Sequence, residues 1–259
     1  MRFTLPSPLV LSAIILTIPV PYLGAQTDLT PPALLPDSDI GDKISEAESH
    51  RDNNLLEYSV VRKYVLENSH LWQPAVMTVR LTFRKGQGKS FEVIDLQNAE
   101  GMSRRVLQKI VDSEVEASRK ECTQHRDDLE VTNMNYRFHV VGSEVREGRR
   151  CYIVMLIPKC KSKYLVQGKA WVDAEDFGII RIEGRPAANL SFWVGKPYIV
   201  QEFQKVGQFW MASRNRSQSQ SMILGSSVLT IEYSGYQVNN PELRVAQNQG
   251  SAPKHPSIE

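Results

Sequence analysis

An excess of charge of either sign is missing from this 259-residue sequence: 31 lysines and arginines face 29 aspartates and glutamates, a formal +2. Recognition of nucleic acid is therefore not expected, because a phosphate footprint needs clustered basic charge well above the acidic charge. Cysteine is scarce too. Three are present, Cys122, Cys151 and Cys160, too few for a disulfide-built scaffold, and an odd number leaves at least one unpaired. A Cys151–Cys160 bridge is disfavoured, since an extended 151–157 segment at about 3.3 Å per residue starts the pair roughly 20 Å apart. A bridge from Cys122 to one of the others and free or buried thiols both stay open. The five histidines, His50, His70, His125, His139 and His255, stand in no metal or catalytic pattern. Cys122 with His125 is half a zinc site at most. No metal and no cofactor is expected.

The chain also lacks an apolar run of the roughly 20 residues that a membrane-spanning helix needs. Its best stretch, residues 9–20, is cut short by Pro19 and Pro21, follows Arg2, and leads to Leu23, Gly24 and Ala25 before a polar change at Gln26. Residues 1–25 therefore read as a secretory signal peptide with cleavage after Ala25. No cysteine follows for lipid attachment. Removing Arg2 with this segment leaves 30 basic against 29 acidic residues, near +1. The mature chain is expected in the periplasm or another extracytoplasmic space.

What is present is mostly strand patterning. Residues 26–38 hold Pro31, Pro32 and Pro36 and read as a linker, followed by a thin amphipathic helix from Ser38 or Asp39. Period-two alternation then marks residues 55–67, 75–84 and 90–96: Val79, Leu81 and Phe83 share one face, Thr78, Arg80 and Thr82 the other. Between the last two strands, KGQGKS ends like a phosphate-binding loop. It has Phe83 where such a loop needs glycine, and a strand follows instead of a helix, so it reads as a hairpin turn.

Residues 102–122 form the clearest helix, with Met102, Val106, Leu107, Ile110, Val111 and Val115 as its apolar stripe. Strands return at residues 136–140, 151–158, 198–205, 209–212, 215–224 and 228–238, and residues 239–259 read as a disordered tail. The run CYIVMLIPK (151–159) is apolar enough for a strand covered on both faces. Between these lies GKAWVDAEDFGIIRIEG (168–184), two short strands joined by an acidic turn. A five-residue connection would set Val172 opposite Ile180, Ala170 opposite Ile182 and Trp171 opposite Arg181; a four-residue one would shift that register.

About eleven strands and one or two helices, without strand–helix alternation, define an α+β domain: a strongly curved antiparallel sheet over residues 39–238 with helices on its concave face. CYIVMLIPK, the 168–184 hairpin, NLSFWVG (189–195) and VGQFWMAS (206–213), in that order, resemble the bacterial outer-membrane lipoprotein-sorting proteins, of the LolA-like periplasmic carrier superfamily. The resemblance spans about residues 55–238 and implies the LolA-like half-barrel, which lipoprotein carriers and lipid-sensing envelope regulators share.

On that footing the expected function is a non-enzymatic, monomeric carrier that holds a lipoprotein acyl chain or another lipid in an apolar groove. Membrane-associated donor or acceptor proteins would be its partners. The groove would use Met102, Val106, Leu107 and Ile110 with the aromatics Phe192, Trp193 and Trp210. Lys159, Lys161 and Lys163, with Arg149 and Arg150 near in sequence, would meet an anionic headgroup or membrane. A lipid sensor binding a partner protein is the alternative. An enzyme on lipid or cell-wall substrates is disfavoured, because Ser191 lacks a nucleophile elbow and the acids Asp173, Glu175 and Asp176 read as solvated turn residues.

Overall fold

The computed structural model describes residues 30–120, 130–188, 197–221 and 225–239. The expected signal peptide, Cys122, His125, Phe192, Trp193 and all but the first residue of the expected tail lie outside these. Two helices, α1 (Asp37–Asn54) and α2 (Gly101–Lys120), accompany strands β1 (Glu57–Asn68), β2 (Ala75–Arg84), β3 (Gly88–Gln97), β4 (Tyr136–Arg146), β5 (Arg149–Pro158), β6 (Val166–Asp173), β7 (Ile179–Pro186), β8 (Tyr198–Val206), β9 (Phe209–Ser221) and β10 (Gly225–Val238). The expected eleventh strand is absent from the described residues because β9 runs unbroken through residues 213 and 214. A register shift at Glu202/Phe203 on its neighbour absorbs the local irregularity.

All ten strands form one antiparallel sheet in the order β3-β2-β1-β10-β9-β8-β7-β6-β5-β4. The α+β curved-sheet class expected from the sequence is the one observed. Among the described residues β3 and β4 are the edge strands, and α2 follows β3 on one edge along the chain path to β4 on the other. One register row crosses the whole sheet: Val140, Val154, Ala170, Ile182, Gln201, Asn215, Ile231, Tyr64, Met77, Leu96. Ile40 and Ile44 of α1, both wholly buried, cover the first end of this row; Leu107 and Val111 of α2 cover the other. Both helices therefore lie on the same face. The opposite face carries the parallel row Trp171, Arg181, Glu202, Arg214, Glu232, Lys63. Its charges alternate in sign from strand to strand, the pairing that favours cross-strand neighbours on a solvated face.

The 168–184 hairpin is β6–β7, in the sheet interior. Ala170 pairs with Ile182 and Trp171 with Arg181, as a five-residue connection would set them, but Val172 pairs with Ile179, not Ile180, because the register shifts between Trp171 and Val172. The shift keeps both Val172 and Ile179 buried. At the other end of the hairpin, Gly168 faces Gly184, and a Cβ on Gly168 would lie 2.0 Å from the Glu183 carbonyl oxygen. Residues 85–87 make the turn between β2 and β3, with Gly86 at φ +84° in the turn and Gly88 at +80° opening β3, which settles KGQGKS as a hairpin turn. β5 is buried on one face and half-buried on the other, so it is not covered on both faces as its composition suggested.

Helix α1 starts without a side-chain cap but places Asp37 and Asp39 in its first turn, where they complement the helix dipole. Asp37 accepts from the Val140 backbone N–H at 2.7 Å and pairs with the His139 ring at the same distance, tying the helix start to edge strand β4. Gly41 lets the helix sit close: a Cβ there would fall 2.6 Å from Asn133 Oδ1 and 2.9 Å from the Phe138 ring.

Candidate functional site

The two helices do not meet over the centre of the sheet. Between them lies a cavity of about 490 Å³, over Gln201 and Asn215, the polar middle of the otherwise apolar row. It touches α1, α2 and seven strands, and its lining includes both Phe83 on β2 and Ile179 on β7. Five strand spacings separate those strands, about 24 Å on a flat sheet, so only strong curvature brings both to one cavity of this size.

The apolar part of the lining is Leu55, Ile179, Ile182, Phe203, Met211 and Ile231, and the charged part is Arg62, Lys89 and Glu114 with Glu48, Arg51, Asp52 and Glu130. Of the charged residues, Arg62 is the buried one. Its position on β1 is in phase with Tyr64 and Leu66, so the guanidinium points inward with an apolar set, and its side chain is only 6% exposed. Arg62 Nη1 donates to both carboxylate oxygens of Glu114 on α2, at 2.9 and 2.8 Å. Lys89 Nζ on β3 donates to the same carboxylate at 3.1 Å. The guanidinium also lies over the Tyr233 ring at 4.8 Å and the Phe91 ring at 5.6 Å. Arg62 Nε is buried and has no hydrogen-bond partner among the described residues.

Burial works against the Glu114 carboxylate, but Lys89 and Arg62 outweigh it and hold its pKa below the usual value. Burial pushes the Tyr64, Tyr233 and Tyr236 hydroxyls upward, so these remain neutral donors. Tyr236 spends its hydrogen on the Ala212 carbonyl at 2.7 Å.

The expected groove residues divide. Trp210 does line the cavity. Leu107 is fully buried and Ile110 half-buried, but both pack against β1–β3 as core and do not line it. Met102 and Val106 are 70% and 39% exposed, so neither faces the groove. The reason is the rotation of α2: its buried stripe runs through Ser103, Leu107, Ile110 and Val111 to Glu114, which must reach Arg62 and Lys89, and this turns Met102 and Val106 to the shoulder.

The lysines Lys159, Lys161 and Lys163 are exposed in the β5–β6 connection, with Lys159 bonded to the Asn133 carbonyl and Lys163 over the Tyr164 ring. Arg149 and Arg150 begin β5 while Lys159 follows its end. The two groups are thus a strand length apart, about 30 Å, and form no common patch.

The acidic turn is not merely solvated. Asp173, 1% exposed, accepts from Arg149 at 2.8 Å and from the Glu175 N–H at 2.8 Å. Asp176 accepts from Trp210 Nε1 at 3.0 Å and from Lys205 at 2.6 Å, and the indole lies so close to Gly178 that a Cβ there would overlap it. The hairpin turn thereby fixes Trp210, the predicted groove aromatic that lies among the described residues. Sequence reasoning missed Arg62, Lys89, Glu114 and the tyrosines. A signal for Arg62 was available, since it is the charge that interrupts Val60, Tyr64 and Leu66 on the inward phase of β1.

No family model matches the chain, and no curated protein matches it in sequence. Among solved structures it is similar to a putative outer-membrane lipoprotein-sorting protein domain from Vibrio parahaemolyticus, 13% identical, with 82% of this chain and 98% of that chain covered and a TM-score of 0.47. It is also similar to a LolA superfamily protein from Nitrosomonas europaea, 9% identical, covering 82% and 97% of the two chains at a TM-score of 0.43. A DUF1329 family protein from Desulfovibrio piger is 12% identical, with 80% and 95% covered and a TM-score of 0.44. These are likenesses of architecture, and the functional argument rests on the cavity itself.

Proposed function

We propose that this chain is a non-enzymatic lipid carrier acting outside the cytoplasm, which shelters a lipoprotein acyl chain or another lipid in the cavity between its helices. The observation that carries this reading is a 490 Å³ space bounded by Leu55, Ile179, Ile182, Phe203 and Met211 and left open by the spacing of the helices. That volume lies within the range of roughly 300–1,000 Å³ usual for small-molecule sites. Each acyl CH₂ buried there contributes about 0.8 kcal/mol, so transfer needs only a difference in affinity between donor, carrier and acceptor. Lys159, Lys161 and Lys163 serve as the contact with an anionic membrane surface. They share their end of the sheet with Trp72, which is fully exposed in the β1–β2 connection, and lysine with exposed aromatics suits a membrane interface.

The test is mass spectrometry of lipid copurified with the exported protein, followed by uptake of a fluorescent fatty acid by delipidated protein. Stoichiometric acyl lipid and saturable uptake are expected. Absence of both would refute the carrier, and stable capture of a membrane protein without lipid uptake would favour a regulator.

A further inference from the structure

The cavity is not uniformly apolar, and its one deeply buried cation is not fully satisfied. Arg62 is 6% exposed at its side chain and lines the cavity, its Nη1 is committed to Glu114, and its Nε donates to nothing among the described residues. A guanidinium offers five N–H donors in a fixed plane and stays charged. Its Nε edge matches the two oxygens of a carboxylate or phosphate better than any neutral group. Glu114 already shows that this position accepts an oxyanion. It divides its oxygens between Arg62 and Lys89 and comes from α2, while the apolar wall of Ile179, Ile182 and Phe203 lies opposite on β7 and β8. The cavity thus has a charged group, in which Arg62 and Lys89 exceed Glu114 by one positive charge, as well as an apolar wall; Glu48, Asp52 and Glu130, with Arg51, complete its charged lining.

Resting on the carrier reading, we infer that the ligand is an amphiphile with an oxyanion head, carboxylate or phosphate, which takes a share of the Arg62 guanidinium beside Tyr233 while its chain lies against the β7–β8 wall. Recognition at this site involves no bond making or breaking. The head competes with Glu114 for the guanidinium, so the carboxylate of α2 sets how tightly the anion is held.

The test compares three twelve-carbon ligands below their micellar concentrations: dodecanoate, dodecanol and dodecyltrimethylammonium. Each displaces the neutral probe N-phenyl-1-naphthylamine from the full mature chain, and dodecyl phosphate then separates the two oxyanion sources. Dodecanoate is expected to bind at least tenfold more tightly than dodecanol, and the trimethylammonium ligand more weakly than either. In Arg62→Met the preference should fall to about one while dodecanol binding persists. In Glu114→Gln, which keeps the volume and a hydrogen-bond acceptor, dodecanoate should gain severalfold and dodecanol should not change. The glutamine variant decides the matter even where the methionine variant does not fold. Equal affinity for dodecanoate and dodecanol in both wild type and Glu114→Gln overturns the inference and leaves the carrier standing, as does strongest binding by the cation. Failure of all three ligands to displace the probe overturns the carrier reading itself.

Discussion

The pairing of Arg62 with Glu114 makes a directional prediction about stability. Removing one partner of a buried ion pair usually costs about 3–5 kcal/mol, because the survivor is left charged and uncompensated. The two survivors here are not equivalent. In Arg62→Met, Glu114 keeps Lys89 at 3.1 Å and its side chain is 28% exposed. The loss is then one charge-assisted hydrogen bond, about 1.5–3 kcal/mol, plus the stacking on Tyr233, partly offset by methionine packing in the same space. A cost of about 2 kcal/mol follows, and a fall in Tm of about 4–8 °C for a domain of this size. In Glu114→Leu the stranded group is Arg62, only 6% exposed and already lacking a partner at Nε among the described residues, so the cost should reach about 3–4 kcal/mol. The double variant should be less destabilised than the sum by about 2 kcal/mol, since neither charge is then left alone. Thermal melts by circular dichroism on the four proteins give all three quantities. If Arg62→Met costs more than Glu114→Leu, or if the two effects simply add, the assignment of Lys89 as the second holder of Glu114 is wrong.

The same carboxylate sets an acid limit. Its pKa is held below the ordinary 4.5, so its contribution is complete above that value and is lost as pH falls through the lower, folded-state pKa. Wild-type Tm should therefore drop more steeply than that of Arg62→Met below about pH 4.5, and parallel curves would count against the pair. Gly168→Ala would drive a Cβ to 2.6 Å from the Gly184 Cα and 2.0 Å from the Glu183 oxygen, backbone atoms that no rotamer change can move. A loss of about 3 kcal/mol is expected, against about 1 kcal/mol for Gly86→Ala, where φ is +84° but nothing lies within 4 Å; equal losses in chemical denaturation would show that the β6–β7 contact is loose. The Cys151 thiol, buried and with its pKa pushed up to about 11 by that burial and by Asp173, should resist iodoacetamide in the native protein, while exposed Cys160 reacts. Peptide mapping that found Cys151 labelled before unfolding would contradict its placement.

Much of the fold was legible because strand alternation and turn chemistry are local. Val79, Leu81 and Phe83 announced the inner face of β2, and the strand after KGQGKS ruled out a nucleotide loop. The hairpin register was readable to within one residue at Val172, where a bulge, which no pattern of residue types marks, keeps Val172 and Ile179 on the buried side. The site was less legible because it depends on how elements are rotated against one another. Counting apolar residues on α2 put Val106 at the centre of its stripe, whereas the carboxylate of Glu114 draws the helix round by its attraction to Arg62 and Lys89. That attraction joins residues 52 positions apart. Trp210 was found for its size, yet what fixes it is Asp176 of the acidic turn, 34 residues earlier.

The cavity itself follows from the width of the sheet. Ten strands at about 4.8 Å give an inner face near 45 Å across, while a helix with its side chains is about 10–12 Å wide. Two helices cannot cover it. α1 takes the β4–β7 side with Ile40 and Ile44, and α2 takes the β1–β3 side with Leu107 and Val111. The strip that the described helices leave over is β8 and β9, and the sequence of β9 is already adapted to that: Asn215, Ser217 and Ser219 occupy the inward phase where the neighbouring strands carry Ile182, Ile199, Leu229 and Ile231. A strip with polar side chains tolerates water when empty, so the cavity does not force the helices to close over it. Its apolar wall still rewards an acyl chain. An empty cavity of this kind costs the fold little, and four to five buried methylenes, about 3–4 kcal/mol, would suffice to favour the filled state while leaving the chain able to depart.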